Sequence, residues 1–455
     1  MTFNMNSARD FIRPFIRKAK YIFATGIVLL LSSESWAQFS LNGQMLVRSE
    51  FRNGYGKLIN ENSDPAGFIA HRARLEASYK IDRLNFFMSI QDVRTWGSTP
   101  SANVSDDFLS VHEAWGEVSF GENWKLKLGR QELNYDNARF LGNLDWALQA
   151  RSHDFILMKY EKGDSKLHFG AGFNQDGFKI TGNTYTIPNN YKAAQMVSFQ
   201  NKVGRLSYSF LFWNDGRQFI EKDDAGTILN EGIRYMSTLA IPTLRLPLNK
   251  TMLTGQFYYQ FGNDVAGKSV SATNFSLLVT QEIAQNDERG SKYRITAGFE
   301  SLSGTASNEL EKNNSFSPLY GTNHAVNGLM DLFYVGNNHF NTVGLNDLFL
   351  RSRYDFNSTF WIQGDYHHFS SAAELLSEGT SGDELSKGFG SELDFTIAKV
   401  VSESVSIQVG YSQFFTSDTF AHFQNNDPLK EIQNWAYIMF VFRPNNKAKF
   451  IGVPL

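Results

Sequence analysis

The feature that most constrains this chain is a long series of runs in which apolar and polar residues alternate with a period of two. In the first run Phe39, Leu41 and Met45 share one face, whereas Arg48 and Glu50 share the other. Strict alternation of this kind is the signature of a β-strand with two different faces. Eighteen such runs follow one another, over residues 39–52, 69–80, 83–94, 107–120, 123–133, 152–161, 165–174, 192–202, 204–213, 229–241, 249–261, 270–284, 291–302, 345–355, 358–370, 387–399, 403–415 and 432–443.

The lengths of these runs and of their connections indicate the class of fold. Most runs are longer than the usual soluble strand of about five or six residues, and they match tilted membrane-spanning strands of about nine to eleven residues with some overhang. Long connections such as 54–68 and 134–151 alternate with tight ones such as 81–82 and 121–122. We therefore predict an all-β protein, a single transmembrane antiparallel β-barrel of about 18 strands with long extracellular loops and short periplasmic turns. A soluble sandwich has no reason to sort its loops by length.

A barrel also explains how a membrane protein can have so little continuous apolar sequence. In lipid every backbone polar group must be paired within the protein, so a closed sheet turns its apolar face to the bilayer and its polar face to the lumen. Aromatic residues then gather where the strands cross the two membrane surfaces. Six residues near strand ends are predicted to form these girdles, namely Tyr79, Trp96, Trp124, Tyr160, Trp213 and Tyr411.

Composition agrees with a barrel and excludes other classes of protein. Aromatic residues make up 15% of the chain, yet its mean hydropathy is slightly negative. A helical membrane protein would need apolar runs of about twenty residues, and a disordered chain would be poor in aromatic residues. The net charge of -3, without a long run of one sign, argues against nucleic acid as a partner. The sequence has no cysteine, which excludes disulfide scaffolds, thiol nucleophiles and thiolate metal sites.

The N-terminus has the parts of an export signal. Basic residues from Arg9 to Lys20 precede an uninterrupted apolar or small stretch over residues 21–31, and Ser35-Trp36-Ala37 supplies a small-residue cleavage site. The stretch is too short to span about 30 Å of hydrocarbon as a helix, and the pattern is typical of a signal peptide rather than a buried core helix. We predict a signal peptide over 1–37, the barrel over 38–443 and a C-terminal tail over 444–455. The mature protein would be exported by the Sec route to the outer membrane of a Gram-negative bacterium, with outer-membrane lipid as a partner.

A barrel of about eighteen strands encloses a bore wide enough for water, so the charges on its wall decide which solutes pass. Arginines at i and i+2, such as Arg72 with Arg74, create a positive field that would guide an anion, although a ladder of mutually neutralising charges follows the same pattern. Alternation slips near 92–94 and 129–132, as a bulge or the membrane edge would explain. The predicted pore lining is Arg48, Arg72, Arg74, Glu76, Arg94, Glu113, Glu117, Arg130, Arg351 and Arg353, and parity also turns Glu50, Trp115, Asp365, His367, Glu392 and Asp394 inward.

The long connection over residues 134–151 is unusually apolar for a loop in water. It contains Phe140, Leu141, Leu144, Trp146 and Leu148. We interpret it as a constriction loop that folds into the bore and packs these groups on the wall. The alternative is a short helix that lies over the barrel mouth. The charged residues that the loop would present at the constriction are Asp136, Arg139, Asp145 and Arg151.

Several short motifs resemble one known family. The run Leu128-Gly129-Arg130-Gln131-Glu132-Leu133-Asn134-Tyr135-Asp136 is followed by Asp145-Trp146 and Arg151-Ser152-His153-Asp154, and it is preceded by Arg72-Ala73-Arg74-Leu75 and His112-Glu113-Ala114-Trp115. In this order and spacing the motifs resemble the alginate export family of outer-membrane proteins, most specifically over about residues 70–155. The resemblance implies an 18-stranded barrel whose electropositive bore passes an anionic uronate polysaccharide.

These observations favour a channel for anionic solutes, resembling the alginate or uronate polysaccharide exporters. The alternative is a general or nutrient-uptake porin with no polysaccharide role. No periplasmic turn is long enough to plug the bore from below, which favours a pore over a gated exporter, and a separate periplasmic export partner stays open. Adhesion through the polar loop 303–344 is a further alternative.

We expect neither catalysis nor a cofactor. A barrel hydrolase needs a Ser/His pair aimed at the lipid boundary, and the nine histidines show no such arrangement, so no catalytic residue is assigned. The adjacent carboxylates Asp106-Asp107 and Asp223-Asp224 do not make a calcium shell of about six to eight oxygens, so no metal is expected.

Overall fold

The computed structural model describes residues 38–102, 107–333, 342–424 and 428–452. The predicted signal peptide and its cleavage site lie outside these residues. Within them the chain forms eighteen barrel strands, numbered here in chain order. Their bounds are β1 Gln38–Asn53, β2 Ala66–Ile81, β3 Leu84–Thr95, β4 Leu109–Phe120, β5 Trp124–Gln131, β6 His153–Lys162, β7 Ser165–Phe173, β8 Ala193–Val203, β9 Leu206–Lys222, β10 Ile228–Leu248, β11 Thr251–Asn263, β12 Ser269–Asn286, β13 Ser291–Leu302, β14 Leu345–Asn357, β15 Phe360–Ser370, β16 Gly388–Ser402, β17 Val405–Thr416 and β18 Gln433–Phe442.

Each strand pairs antiparallel with its neighbours in sequence, and the last strand returns to the first. β18 pairs with β1, with Phe442 opposite Met45 and Asn434 opposite Asn53. The sheet is therefore a closed barrel, which leaves no unpaired strand edge to face lipid. The prediction of an all-β antiparallel barrel of about 18 strands is confirmed.

The connections sort by length onto the two ends of the barrel. Tight turns, in which Gly121, Gly163 and Gly204 take the left-handed conformation (φ 65°, 57° and 59°), join strands at what we call the turn end. The long connections lie at the opposite end, called the loop end. The wall itself begins and ends at the turn end, because β1 begins there and β18 finishes there.

The two faces of the wall differ as the alternation predicts. On β14, Leu348 and Leu350 point outward and are 59% and 51% exposed, whereas Asp347 and Arg351 point inward and are 1% and 8% exposed. The same contrast recurs along the other strands, so the outside of the barrel is an apolar surface and the inside is polar. A bilayer requires this arrangement, because lipid offers no hydrogen bonds to side chains.

Five of the six predicted girdle residues lie on the outer face, and one does not. Tyr79, Trp96, Trp124 and Tyr411 are exposed there, and Tyr160 lies beside Trp124 across the β5–β6 pair. Trp213 is instead fully buried inside the barrel, where it stacks on Phe155 at 5.8 Å. The odd-numbered residues of β9 face inward, and Trp213 lies near the middle of this long strand. Trp213 therefore packs inside the barrel instead of forming part of an interfacial girdle.

The interior of the barrel is occupied by three segments that do not belong to the wall. The constriction loop, here taken as residues 132–152, buries Phe140 and Trp146; the second inner loop, residues 303–333, buries Tyr320 and Met330; and the C-terminal tail, residues 444–452, buries Ile451. The described part of the polar loop 303–344 is therefore not an exposed surface, since its Asn and Ser side chains bond inside the bore.

Small elements complete the described chain. Lys312–Asn313 pairs parallel with the start of β12, and a short hairpin of Leu376–Glu378 with Ser381–Glu384 projects from the loop end. Helix α1, Asp418–Phe423, is capped by Ser417, whose hydroxyl accepts a hydrogen bond from the backbone N–H of Phe420. None of the helical residues described here forms a helix long and apolar enough to cross a membrane.

Candidate functional site

Strand pairing decides which predicted lining residues face the bore, because partners across an antiparallel pair lie on the same face. Arg72 is opposite Val93, Arg74 is opposite Gln91, and both pairs face inward. The residues of the predicted pore lining that lie on the inner face are Arg48, Arg72, Arg74, Glu76, Glu113, Glu117, Arg351 and Arg353.

Arg94 and Arg130 lie on the outer face, so their assignment to the pore lining is corrected. Arg94 is opposite His71 and donates from Nε to Asp92 Oδ1 at 2.8 Å. Arg130 bonds Asp154 at 3.0 Å, with both side chains well exposed. Alternation does not slip on β3, where pairing with β2 is continuous. Both arginines lie near the loop end of the wall, where the outer face meets headgroups and water and tolerates charge.

The constriction loop lies inside the barrel and contains no helix, which excludes the alternative of a short helix over the mouth. Its backbone is held by arginines of β1 and β2. Arg48 Nη1 donates to the carbonyl of Trp146 at 2.8 Å, and Arg72 Nη1 donates to the carbonyl of Leu148 at 3.1 Å. Arg72 is completely covered by the loop, so it holds the loop in place and does not face water.

Asp145 lies at the centre of a chain of charges. Arg72 Nη2 bonds Asp145 Oδ1 at 2.8 Å, and Lys449 of the C-terminal tail bonds Asp145 Oδ2 at 2.6 Å. Burial raises the pKa of Asp145, but Arg72 and Lys449 more than offset it, so this pKa lies well below its ordinary value. The carboxylate of Asp145 thus lies between two cations, and these charges join β2, the constriction loop and the C-terminal tail.

Trp146 anchors the constriction loop by aromatic contacts. Its indole stacks on His324 of the second inner loop at 3.8 Å with an interplanar angle of 6°. The guanidinium of Arg48 lies over the same indole at 4.1 Å, and Tyr437 meets it edge-on at 5.1 Å. The predicted packing of apolar loop residues on the wall thus includes a second loop as well.

Arg139 does not face a solute, and its expected place at the constriction is corrected. It is 1% exposed, and its guanidinium bonds both oxygens of Glu300, at 2.8 and 3.0 Å. It also donates to the side-chain oxygens of Asn323 and Asn327 at 3.0 and 2.9 Å. Arg139 therefore joins the constriction loop, the second inner loop and β13.

Asp136 and Arg151 lie at the two sides of the constriction loop. Asp136 takes the left-handed conformation (φ 54°), and burial raises its pKa. Arg151 donates to the carbonyl of Gly321 at 3.0 Å, and burial lowers its pKa to about 10. Both are half-buried, so they remain within reach of water.

Cations in the lumen outnumber the carboxylates to which they are bonded. Glu50 bonds Arg48 at 2.7 Å and Arg52 at 2.9 Å, so two cations share one carboxylate. Asp355 is likewise shared by Arg294 and Arg353, at 2.6 and 2.9 Å, and Asp145 by the pair described above. At these three points two cations surround one carboxylate, so the local charge is positive.

Two further lumenal cations have neutral partners. Arg74 donates to Gln91 Oε1 at 3.0 and 2.7 Å, and Lys127 lies over the Trp115 ring at 3.8 Å. Among the described residues neither has a carboxylate within ion-pair distance. Each is a local positive charge on the inner wall.

Sequence reasoning missed a group of lysines near the turn end. Lys125 and Lys127 on β5 and Lys159 on β6 face inward, where Lys125 bonds Glu161 at 2.9 Å and Lys159 bonds Glu117. The alternation Lys125-Leu126-Lys127-Leu128 carries the signal that would have found them. These lysines extend the basic lining from the constriction toward the turn end.

Buried carboxylates hold the second inner loop against β13 to β16. Glu392 accepts from the backbone N–H of Met330 at 2.8 Å, and Asp347 Oδ2 accepts from Asn327 Nδ2 at 3.2 Å. Glu300 and Asn327 were not predicted as site residues, because their partners are far away in sequence. The inward residues Asp365, His367 and Asp394 belong to the same buried network.

One cluster in the described chain has the composition of a metal site. The ligand atoms of His112, Glu113 and Glu132 lie within 4.8 Å of one another. Each already has protein partners, since His112 Nε2 lies 2.9 Å from Glu132 Oε1 and Glu113 Oε1 accepts from Glu132 N at 3.0 Å. We assign the cluster to the hydrogen bonding that ties the base of the constriction loop to β4.

Residues 38–181 match the family model described as alginate export. The chain resembles the alginate export family. The resemblance drawn from the motifs is thereby confirmed over β1 to β7 and the constriction loop, the part that carries most of the alginate export motifs. No curated protein matches the sequence.

Solved structures share the fold over nearly the whole chain. The outer membrane protein OpdK from Pseudomonas aeruginosa has a TM-score of 0.57 at 9% identity, covering 89% of this chain and 98% of that one. OccK8 (OprE) from the same organism has a TM-score of 0.52 at 12% identity with the same coverage. A structure of OpdK with vanillate has a TM-score of 0.54 at 10% identity, again with 89% and 98% covered. The barrel is thus of the kind found in Gram-negative outer-membrane proteins.

Proposed function

We propose that this protein is an outer-membrane channel for small anionic solutes that bear carboxylates, uronate sugars among them. The observation that carries the proposal is the sharing of one carboxylate by two cations at Glu50, Asp145 and Asp355. At each of these three points the wall carries one more cation than carboxylate. Selectivity in such channels follows the charge that lines the passage.

The contents of the bore support a small solute. The constriction loop, the second inner loop and the C-terminal tail all lie inside the wall and contact one another at Trp146.

Arginine is suited to the recognition of a solute carboxylate, because its planar guanidinium binds carboxylates in a bidentate manner. The half-buried Arg52, Arg294 and Arg353 are within reach of water and of a passing anion.

The test is planar-bilayer recording of the purified protein in asymmetric KCl. We expect a reversal potential that indicates preference for the anion. The double variant R294Q/R353Q should shift it toward the cation, because it removes two lumenal charges that share Asp355. The matched control is R94Q/R130Q, which removes two arginines from the outer face.

Two results would contradict the proposal. One is a wild-type channel that prefers the cation or neither ion. The other is an equal shift of the reversal potential by the lumenal and the outer double variants, since a charge outside the wall should be screened from the passage.

Export of a uronate polysaccharide is the second candidate, and the alginate export match over residues 38–181 favours it. A polymer needs a wider path than a small anion, so the inner segments would have to move for it to pass. Uronate oligomers and polymer added to each side in turn separate the two candidates. Passage of oligomers with block by polymer supports the small-solute channel, whereas passage of polymer supports the exporter.

A further inference from the structure

The C-terminal tail turns back into the barrel immediately after β18. Arg443 N donates to the carbonyl of Ser404 at 2.8 Å, and Asn446 N donates to the carbonyl of Arg443 at 2.9 Å, which closes a turn at the end of the wall. Arg443 Nη1 then bonds the carbonyl of Lys447 at 2.9 Å. The chain that follows runs along the inside of β17 instead of leaving the barrel.

Inward side chains of β17 bind this segment. Ser406 Oγ donates to the carbonyl of Lys449 at 2.6 Å. Gln408 Nε2 donates to the carbonyl of Ile451 at 3.1 Å, and its Oε1 accepts from Ile451 N at 3.4 Å. Residues two apart on the tail meet residues two apart on the strand, so the tail lies extended against the wall.

The tail is also packed against the interior. Ile451 is 2% exposed, and Phe450 meets Trp361 of β15 edge-on at 5.4 Å. Gly452, at φ 71°, lies so close to Trp146 that a Cβ there would clash with the indole. The tail therefore lies beneath the constriction loop, between it and the turn end.

Lys449 joins the tail to the constriction loop. Its ammonium bonds Asp145 Oδ2 at 2.6 Å, on the opposite side of the carboxylate from Arg72. Lys449 is 42% exposed and Arg72 is fully buried, so the lysine is the partner that water and solutes reach. The short turns between strands are not expected to plug the bore from below, whereas the tail lies inside it near the turn end.

We propose that residues 444–452 are a gate segment at the turn end of the channel, and that Lys449 is the positioning residue that ties this segment to the constriction loop. This rests on the proposed function, because a gate requires a passage to close. Release of the tail would remove Ile451 and Phe450 from the lumen and leave Asp145 with Arg72 alone.

Three variants test the gate by single-channel conductance. A chain that ends after Arg443 should have a single-channel conductance at least about twofold higher, because the cross-section under the constriction loop widens. In the full chain K449E should produce frequent transitions to that larger conductance, since it places a second carboxylate beside Asp145. K447E is the matched control, because it makes the same charge change on an exposed lysine of the tail.

A cysteine pair in the full-length chain tests the gate even if the shortened chain does not assemble. The native sequence has no cysteine, so S406C/K449C introduces the two thiols alone. We expect the low conductance under oxidising conditions, with the tail tethered to β17, and the high conductance after reduction. Equal conductance of the oxidised and reduced pair, or of the wild type and the shortened chain, would overturn the gate.

Reversal potentials from the same recordings keep the two proposals apart. Anion preference with no effect of the tail variants leaves the channel proposal standing and removes the gate. A non-selective channel whose conductance rises on release of the tail removes the proposal of an anion-selective channel and leaves the gate standing. A barrel that inserts, as shown by heat-modifiable migration, and conducts in none of these forms contradicts both.

Discussion

Arg139 and Arg130 show how one residue type serves two purposes in this barrel. Arg139 is buried against Glu300, and all three nitrogens of its guanidinium donate hydrogen bonds. Arg130 is an exposed partner of Asp154 on the outer face. Removal of one member of a buried ion pair costs about 3–5 kcal/mol, because the other charge is left uncompensated, whereas an exposed pair contributes about 0–1 kcal/mol.

We therefore expect R139Q to loosen both inner loops while the wall stays folded. Amide hydrogen exchange over residues 135–150 and 318–328 should become much faster, since Glu300 loses its cation and the loops lose their common anchor. R130Q is the control and should leave exchange in these segments unchanged. Equal protection of the inner loops in the two variants would contradict the role given to Arg139.

The inner loops are the elements that set the width of the passage. The constriction loop has no secondary structure of its own, and it is ordered by Trp146, by Arg139 and by the arginines of β1 and β2 that bind its carbonyls. The loop between β7 and β8 is different, because Phe178 and Ile180 are fully exposed at the loop end. Two loops of similar length thus differ in whether they obstruct the bore.

Deletion of residues 137–149 should increase single-channel conductance, because it removes the part of the constriction loop that fills the bore. The matched control is deletion of the same number of residues, 176–188, from the exposed loop, which should leave conductance as it is. An unchanged conductance after the first deletion would end the interpretation of this loop as a constriction.

For the whole molecule, the distinction between outside and inside determines stability in a bilayer. Leu350 faces lipid and is 51% exposed, whereas Thr254 faces the lumen on β11. A charge on the lipid side must be dehydrated or must drag water into the bilayer, which costs about 2–4 kcal/mol near the midplane. A charge on the lumenal side remains hydrated.

L350R should accordingly lower the free energy of unfolding of the barrel in lipid vesicles by about 2–4 kcal/mol. T254R introduces the same side chain on the lumenal face and should have a much smaller effect. Urea titration followed by tryptophan fluorescence measures both. A similar loss of stability in the two variants would contradict the assignment of the faces.

The wall could be predicted because its information is local. Within each strand the alternation of polar and apolar residues indicates which side chains face the lumen. It places four arginines correctly on the inner face: Arg72, Arg74, Arg351 and Arg353. Arg94 and Arg130 were misplaced because the outer face becomes polar near the loop end, which resembles a slip of parity until the pairing partner is known. The inward position of Trp213 required the same knowledge of register.

What the sequence by itself determined is the barrel, since alternation, strand length and loop length follow from the demand that lipid makes on every backbone group. What the tertiary structure decided is the content of the bore. Arg139 meets Glu300, and Lys449 meets Asp145, across separations of 161 and 304 residues. No periodicity encodes such contacts. They depend on how irregular segments fill a space that exists only after the wall has closed.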